Sequence, residues 1–237
     1  MNYGIIAAGE GSRLAQEGVQ LPKPLVKLNG EPMIMRLLRI FLENDAESVS
    51  VIVNSQMKEV AQKLLDLQPI FPVELNVIVK STPSSMHSFY ELSKVLAGKG
   101  RFIVTTVDTI FREQPFGAYA DAFAKAAEDI DGMMAVTDYI DDEKPLYVKT
   151  DNHLNIKDFC DVPFSGVKYV SGGIYGLSEK AFSVLQQCMD DGVNRMRNYQ
   201  RRLVEAGLKL KAYPLGKIVD VDHASDIATA ETFLTNR

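Results

Sequence analysis

The sequence predicts an α/β protein built on a mainly parallel mixed sheet, and three observations carry that prediction. Through Thr137, short apolar runs alternate with amphipathic stretches, a rhythm that calls for right-handed crossovers between parallel strands. After Thr137 the rhythm changes to a hairpin pattern followed by helices and short strands, which makes the sheet mixed. The first apolar run leads directly into a glycine-rich turn, at the edge of the sheet where open α/β folds bind ligands.

Taken in order, the expected strands of the first half are Tyr3–Ala7, Val49–Val53, Leu75–Val79, Phe102–Thr106 and Met133–Thr137. Each is a short apolar run of the kind a strand covered on both faces requires. Helical apolar spacing falls between them at Met33–Asn44, Met57–Leu67, Met86–Leu96 and Phe116–Glu128. The second half reads as a hairpin, Tyr147–Thr150 with Leu154–Phe159, then a strand through Gly173-Ile174-Tyr175-Gly176. Helices follow at Glu179–Met189 and Asn194–Ala206, then strands at Lys209–Tyr213 and Ile218–Val221 and a helix at Ala224–Leu234. No repeat, low-complexity tract or linker interrupts this order. One domain over residues 1–237 is expected, in two halves that meet near Thr137, about 1–137 and about 138–237.

Composition narrows the class. A chain of 237 residues is long enough to bury a sizeable core. A net charge of −5 argues against a general nucleic-acid-binding role. The two cysteines, Cys160 and Cys188, have no metal-binding spacing, and so few suggest a reducing compartment. The N-terminus carries no secretory pattern, and no apolar run approaches the roughly 18 residues that cross a bilayer. The expectation is a cytoplasmic protein with no membrane or nucleic-acid partner. Its oligomeric state is not written in the sequence.

The glycine-rich turn can be typed by elimination. Ala8-Gly9-Glu10-Gly11-Ser12-Arg13-Leu14 lacks the Gly-Lys-Ser/Thr ending of a phosphate loop. It also lacks the third glycine of the dinucleotide fingerprint, since Leu14 stands there. A longer pattern does fit. The turn is followed by Pro22-Lys23-Pro24-Leu25-Val26 and then Gly30-Glu31-Pro32-Met33-Ile34. Glycines let backbone N–H groups approach an anion closely, and an arginine and a lysine can hold phosphate charge.

This long pattern closely resembles the signature of the sugar-phosphate nucleotidyltransferases, the family of nucleotide-sugar pyrophosphorylases. The resemblance is strongest at residues 3–34, 102–109 and 217–228. It implies a Rossmann-like three-layer α/β/α sandwich of the glycosyltransferase-A type. It also implies a nucleotidyltransferase activity that joins an NTP to a phosphorylated small molecule, a sugar 1-phosphate first among them. Larger relatives append a further acyltransferase domain, and none is expected here.

Transfer of a nucleotide brings several anionic oxygens together, so positioning and electrostatics dominate its catalysis. By resemblance Arg13 contacts the triphosphate and leaving pyrophosphate, and Lys23 neutralises the α-phosphate and the acceptor phosphate; these are the expected catalytic residues. Ala7, Ala8, Gly9, Gly11 and Ser12 complete the expected nucleotide loop. Magnesium favours carboxylates, water and phosphate oxygens. Asp108 stands just past the strand Phe102–Thr106, where the family has a metal-binding aspartate, although the usual preceding glycine is Val107 here. The second carboxylate is expected from Asp220-Val221-Asp222, where strand alternation puts both aspartates on one face. Asp222 is preferred, with Asp220 close behind. Asp226 reads instead as a first-turn helix residue.

Two further segments concern the substrates. Ser84 and Ser85, in Lys80-Ser81-Thr82-Pro83-Ser84-Ser85, start a helix in the region where the family reads the base, and helix capping accounts for serines there equally well. Gly172 and Gly173 resemble the family strand beneath the sugar phosphate. Lys157 and Asp158 are candidate acceptor contacts, with solvated hairpin charge as the competing reading. Arg195, Arg197, Arg201 and Arg202 read as a solvated basic helix face. The same chemistry on phosphocholine or another non-sugar phosphomonoester stays open, as does a nucleotide-binding regulatory module without catalysis. A glycosyltransferase fits less well, because Asp108 is followed by Thr109-Ile110 and not by a second aspartate at Asp-x-Asp spacing.

Overall fold

The computed structural model describes residues 1–140 and 143–235. β1 (Asn2–Ala7) is buried along its whole length and leads through the glycine turn into the short helix α1 (Ser12–Gln16). A two-strand hairpin, β2 (Lys27–Leu28) and β3 (Glu31–Pro32), precedes α2 (Met33–Glu43). α2 buries Ile34, Leu37, Leu38 and Phe41 at helical spacing. Then come β4 (Ser48–Val53), α3 (Lys58–Leu67), β5 (Glu74–Val79), α4 (Ser85–Leu96), β6 (Phe102–Thr106), β7 (Thr109–Ile110), α5 (Glu113–Ala124) and β8 (Gly132–Thr137). The second half holds β9 (Tyr147–Thr150), β10 (Ile156–Cys160), β11 (Tyr169–Leu177), α6 (Lys180–Asp190), α7 (Met196–Glu205), β12 (Leu210–Pro214), β13 (Val219–Asp220) and α8 (Ala224–Thr235).

β5, β4, β1 and β6 run parallel in that spatial order. β11 is antiparallel to β6 and to β8, and β12 is parallel to β8. The sheet is therefore mixed and mostly parallel, as expected. Its two faces carry separate apolar cores. Tyr3, Ile5, Phe41, Phe111, Phe116 and Tyr119 belong to one, with the Tyr3 and Phe41 rings stacked at 4.2 Å. Ile6, Phe89, Phe102, Leu185, Tyr199 and Leu203 belong to the other. Alternation along β1 sends Tyr3 and Ile5 to one core and Ile6 to the other, which makes three layers.

The differences from expectation are local. The helix expected at Phe116–Glu128 runs from Glu113 to Ala124. Pro115 sits in its first turn, where a missing N–H costs nothing. Beyond Ala124, Arg101 draws off the carbonyls of Phe123, Ala126 and Ala127 at 2.6–2.9 Å, which ends the helix. The strand expected at Ile218–Val221 is two residues long and pairs antiparallel with β7. Among the described residues no helix is long and apolar enough to cross a membrane.

β1 lies between β4 and β6, so successive strands depart to opposite sides of it. This is the switch point at which the loops after the strands open a crevice. The glycine turn after β1 and Asp108 after β6 both lie there.

Candidate functional site

Gly11 turns the chain after β1 with φ +64°, and a Cβ on it would stand 2.9 Å from Lys23 Cβ. The glycine therefore serves two needs, a left-handed turn and close passage of the next loop. That loop, Pro22-Lys23-Pro24-Leu25, forms a single 3-10 turn whose prolines fix its direction. Lys23 is thereby buried beneath the glycine turn with only 8% exposure.

The Lys23 ammonium contacts two carboxylates at once. It pairs with Asp108 and, at 2.7 Å, with Asp222 Oδ1. Arg13 Nη1 reaches Asp222 Oδ2 at 3.3 Å from a half-exposed position. Burial alone would pull the Lys23 pKa down, but the two aspartates outweigh it and hold it above the ordinary value. Burial pushes Asp222 up, and the charge of Lys23 more than reverses that, leaving it below the ordinary carboxylate value. Lys23 and Asp222 are thus held charged at neutral pH.

The backbone fixes this arrangement from several sides. Val221 N–H donates to Asp108 O at 3.1 Å, tying the last strand to the end of β6. Asp226 Oδ2 accepts from the N–H groups of Asp222 and His223 at 2.9 and 2.6 Å. His223 Nδ1 meets Glu17 Oε1 at 2.6 Å, joining the same turn to the end of α1.

The cleft above Lys23 measures about 500 Å³. Ala8, Gly9, Gly11, Ser12 and Arg13 form one wall, Ser84 and Ser85 another, with Asp108 and Asp222 between them. The sequence-predicted nucleotide residues are therefore brought together, except Ala7, which is 1% exposed and packs in the core. A half-buried hydroxyl pair, Thr82 and Ser88 at 2.6 Å, adds to the serine wall. A second cleft of about 370 Å³ shares Ser85, Asp108 and Asp222 with the first. Gly173 lines it with φ +73°, and a Cβ there would sit 2.7 Å from Thr109 Oγ1. Asp220 lines this cleft too, while Gly172 lines a small side pocket shared with Asp220 and Asp222. Asp220 and Asp222 do face the same space, with Val221 fully buried behind them.

Lys157 and Asp158 line neither cleft. Lys157 pairs with Asp151 at 3.1 Å, and Asp158 accepts the N–H of Phe159 at 2.8 Å. A register shift between Ile156 and Asp158 leaves both residues exposed while Ile156 and Phe159 turn inward. Arg195 and Arg197, read from the sequence as a solvated helix face, line the second cleft, together with Ser171 and Gln200, which sequence reasoning did not single out.

Among the described residues no three His, Cys, Asp or Glu side chains gather as one cation site. Two carboxylates, Asp108 and Asp222, do converge on one charge. That donor set suits Mg²⁺, which takes one or two protein carboxylates and fills its octahedron with water and substrate phosphates.

Gly11→Ala tests the turn. It should cost at least about 1 kcal/mol from the left-handed backbone and the close passage of Lys23. Thermal melts of the two proteins check this, and an unchanged melt would mean that the turn does not need glycine.

At its switch point this three-layer α/β sandwich has a crevice lined by a glycine turn, Arg13, Lys23, Asp108 and Asp222. The nucleotidyl transferase family model matches residues 4–237, and the chain belongs to that family. It is similar to mannose-1-phosphate guanyltransferase of Aspergillus oryzae, with 26% identity over 72% of this chain and 48% of the relative. The chain spans about half the length of the curated relatives it matches. Its fold is that of the inositol-1-phosphate CTP transferase of T. maritima, at TM-score 0.78 and 17% identity over 98% of this chain and 97% of the other. The CTP:phosphocholine cytidylyltransferase of Streptococcus pneumoniae shares it at TM-score 0.70 and 17% identity, over 98% of each chain.

Proposed function

We propose that the protein is a Mg²⁺-dependent nucleotidyltransferase that moves a nucleoside monophosphate from an NTP to a phosphorylated small molecule, a sugar 1-phosphate by preference. The reading rests on one observation above all. A buried ammonium, Lys23, is held between Asp108 and Asp222 where a 500 Å³ cleft and a 370 Å³ cleft meet. The first has the glycine turn and serine wall suited to a nucleotide. The second has room for the acceptor.

In the reaction an acceptor phosphate oxygen attacks the α-phosphorus, and the bond from that phosphorus to the bridging oxygen breaks. Pyrophosphate leaves with the bonding electrons. Lys23, next to both clefts, neutralises charge on the α-phosphate and incoming phosphate, and Arg13 holds the outer phosphates. Both act as fixed electrostatic partners, the kind of contribution that matters most where little covalent chemistry is asked of the protein. Asp108 and Asp222, with Asp220 nearby, are the residues that would hold Mg²⁺, which when bound supplies charge neutralisation to the phosphate oxygens. Ser84 and Ser85 contact the nucleoside, and Gly173 lets the acceptor approach the strand closely. The same reading puts the protein in the cytoplasm, where NTPs are.

The test is pyrophosphate release over a matrix of the four NTPs and a panel of phosphomonoesters, with Mg²⁺ and with excess EDTA. Release that needs one NTP, one acceptor and the metal is the expected result. NTP binding with no release on any acceptor would favour a regulatory module.

A further inference from the structure

The second cleft contains a donor that no other described residue uses. Gln200 lies on α7 and is 2% exposed, yet it borders the cleft. Its Oε1 accepts the Ser171 hydroxyl at 2.9 Å. With the hydroxyl donating to Oε1, Nε2 is the group left over. Among the described residues Nε2 has no partner, and it is not among the atoms sealed from solvent. A buried amide with one end locked and the other facing a cavity is costly unless something else completes it.

Its surroundings are cationic on the same wall. Arg195, at the start of α7, sits in a left-handed backbone conformation, φ +69° and ψ 138°, unusual for a residue with a side chain. Its N–H donates to Ser84 Oγ at 3.3 Å, so it stands where the serine wall of the first cleft meets the second. Among the described residues Arg195 has no carboxylate partner. Arg197 also borders the cleft but is held by Asp161 at 2.9 Å and by Lys144 O at 2.7 Å. The opposite wall carries Asp108, Asp220 and Asp222, the carboxylates read above as the metal side.

We propose that Gln200, oriented by Ser171, selects the acceptor by donating its Nε2–H to a hydroxyl or carbonyl oxygen on the acceptor body. With Arg195 beside it, the cleft then takes oxygen-bearing phosphates, sugar or cyclitol, and turns away phosphocholine. A quaternary ammonium wants an aromatic cage. Tyr175 is the one aromatic side chain bordering this cleft among the described residues, and two guanidiniums share the wall. The inference rests on the nucleotidyltransferase reading and names the acceptor class for it.

The experiment compares wild type, Gln200→Leu and Gln200→Glu, after circular dichroism and melting have shown that each is folded. Acceptors are a series of sugar 1-phosphates, inositol 1-phosphate and phosphocholine, followed by the mono-deoxy analogues of the best substrate. A site built around a substrate oxygen rejects the analogue lacking it by about 10⁴-fold in the best cases. In wild type one deoxy analogue should therefore lose at least about 10²-fold in kcat/KM. Gln200→Leu should lose a similar factor on the parent acceptor and no longer distinguish it from that analogue, with KM for the NTP unchanged within about twofold. Gln200→Glu, which cannot donate when ionised, should not rescue.

Efficient turnover of phosphocholine by wild type would overturn this inference while leaving the transferase reading intact. So would a Gln200→Leu enzyme that loses nothing, or a Gln200→Glu enzyme as active as wild type. No turnover of any phosphomonoester with any NTP would overturn the reading beneath it, and this one with it.

Discussion

Replacing Lys23 with alanine should reduce kcat/KM by about 10³-fold or more while the protein still folds, because single cations and donors at such sites contribute on that scale. Among the described residues the ammonium is the one group that pairs with both Asp108 and Asp222. Its removal leaves two carboxylates facing each other and, in the proposed reaction, takes away the charge that meets the phosphates. Lys23→Arg should not restore the rate. The pocket is closed to 8% exposure, Gly11 passes directly over the side chain, and a planar guanidinium cannot occupy the place of a compact ammonium.

Stability should change with pH in a definite sense. The folded pKa of Lys23 is raised, so its contribution is present at neutral pH and is lost only as pH rises through that raised value. The folded pKa of Asp222 is lowered, so its contribution is present above the unfolded value of 3.8 and is lost as pH falls below it. Asp222→Asn should therefore flatten the acid limb of the stability curve, and Lys23→Ala should flatten both limbs. Rates, together with melts taken across pH, check these statements. A Lys23→Ala enzyme of ordinary activity would remove Lys23 from the site.

The parts of this site that could be read in advance are contiguous in sequence or follow from one period. The glycine turn and Pro-Lys-Pro loop are a run of neighbours, and the strand ends that carry Asp108 and Asp222 follow from apolar runs of alternating direction. The unread parts depend on packing between distant segments. Ser171 and Gln200 are 29 residues apart and meet because α7 packs on β10 and α6, which brings Gln200 to the Ser171 hydroxyl. Arg195 and Arg197 read as a solvated helix face because a helical pattern shows its apolar stripe and not which of its charges a neighbouring cleft will receive. Lys157 and Asp158, candidates for the acceptor with solvated hairpin charge as the competing reading, lie exposed at an irregularity of β10 and border neither cleft. Arg101 ends α5 from another strand's start, so the boundary of that helix was not set by its own residues.

Asp108→Asn should be the most damaging isosteric change in the protein. The amide keeps the size of the carboxylate, and the main-chain carbonyl of residue 108 can still accept Val221 N–H, so the link between the end of β6 and the last strand survives. What is lost is charge, the property that a hard cation requires of its ligands. A fall of at least about 10³-fold in turnover is expected, with a lowered thermal melt because the buried Lys23 ammonium loses one of its two partners. If the loss is one of metal affinity, raising Mg²⁺ should recover part of the rate in Asp108→Asn and none in Lys23→Ala. The same titration separates the two candidates for the second ligand. Asp222 shares Lys23 with Asp108 and borders both clefts, whereas Asp220 borders the second and is not part of the lining of the first. Asp222→Asn should therefore match Asp108→Asn in both its loss of rate and its partial recovery with Mg²⁺, and Asp220→Asn should fall short of both. The reverse order would move the metal toward the Gly172 pocket and make the Asp222–Lys23 pair a structural clasp.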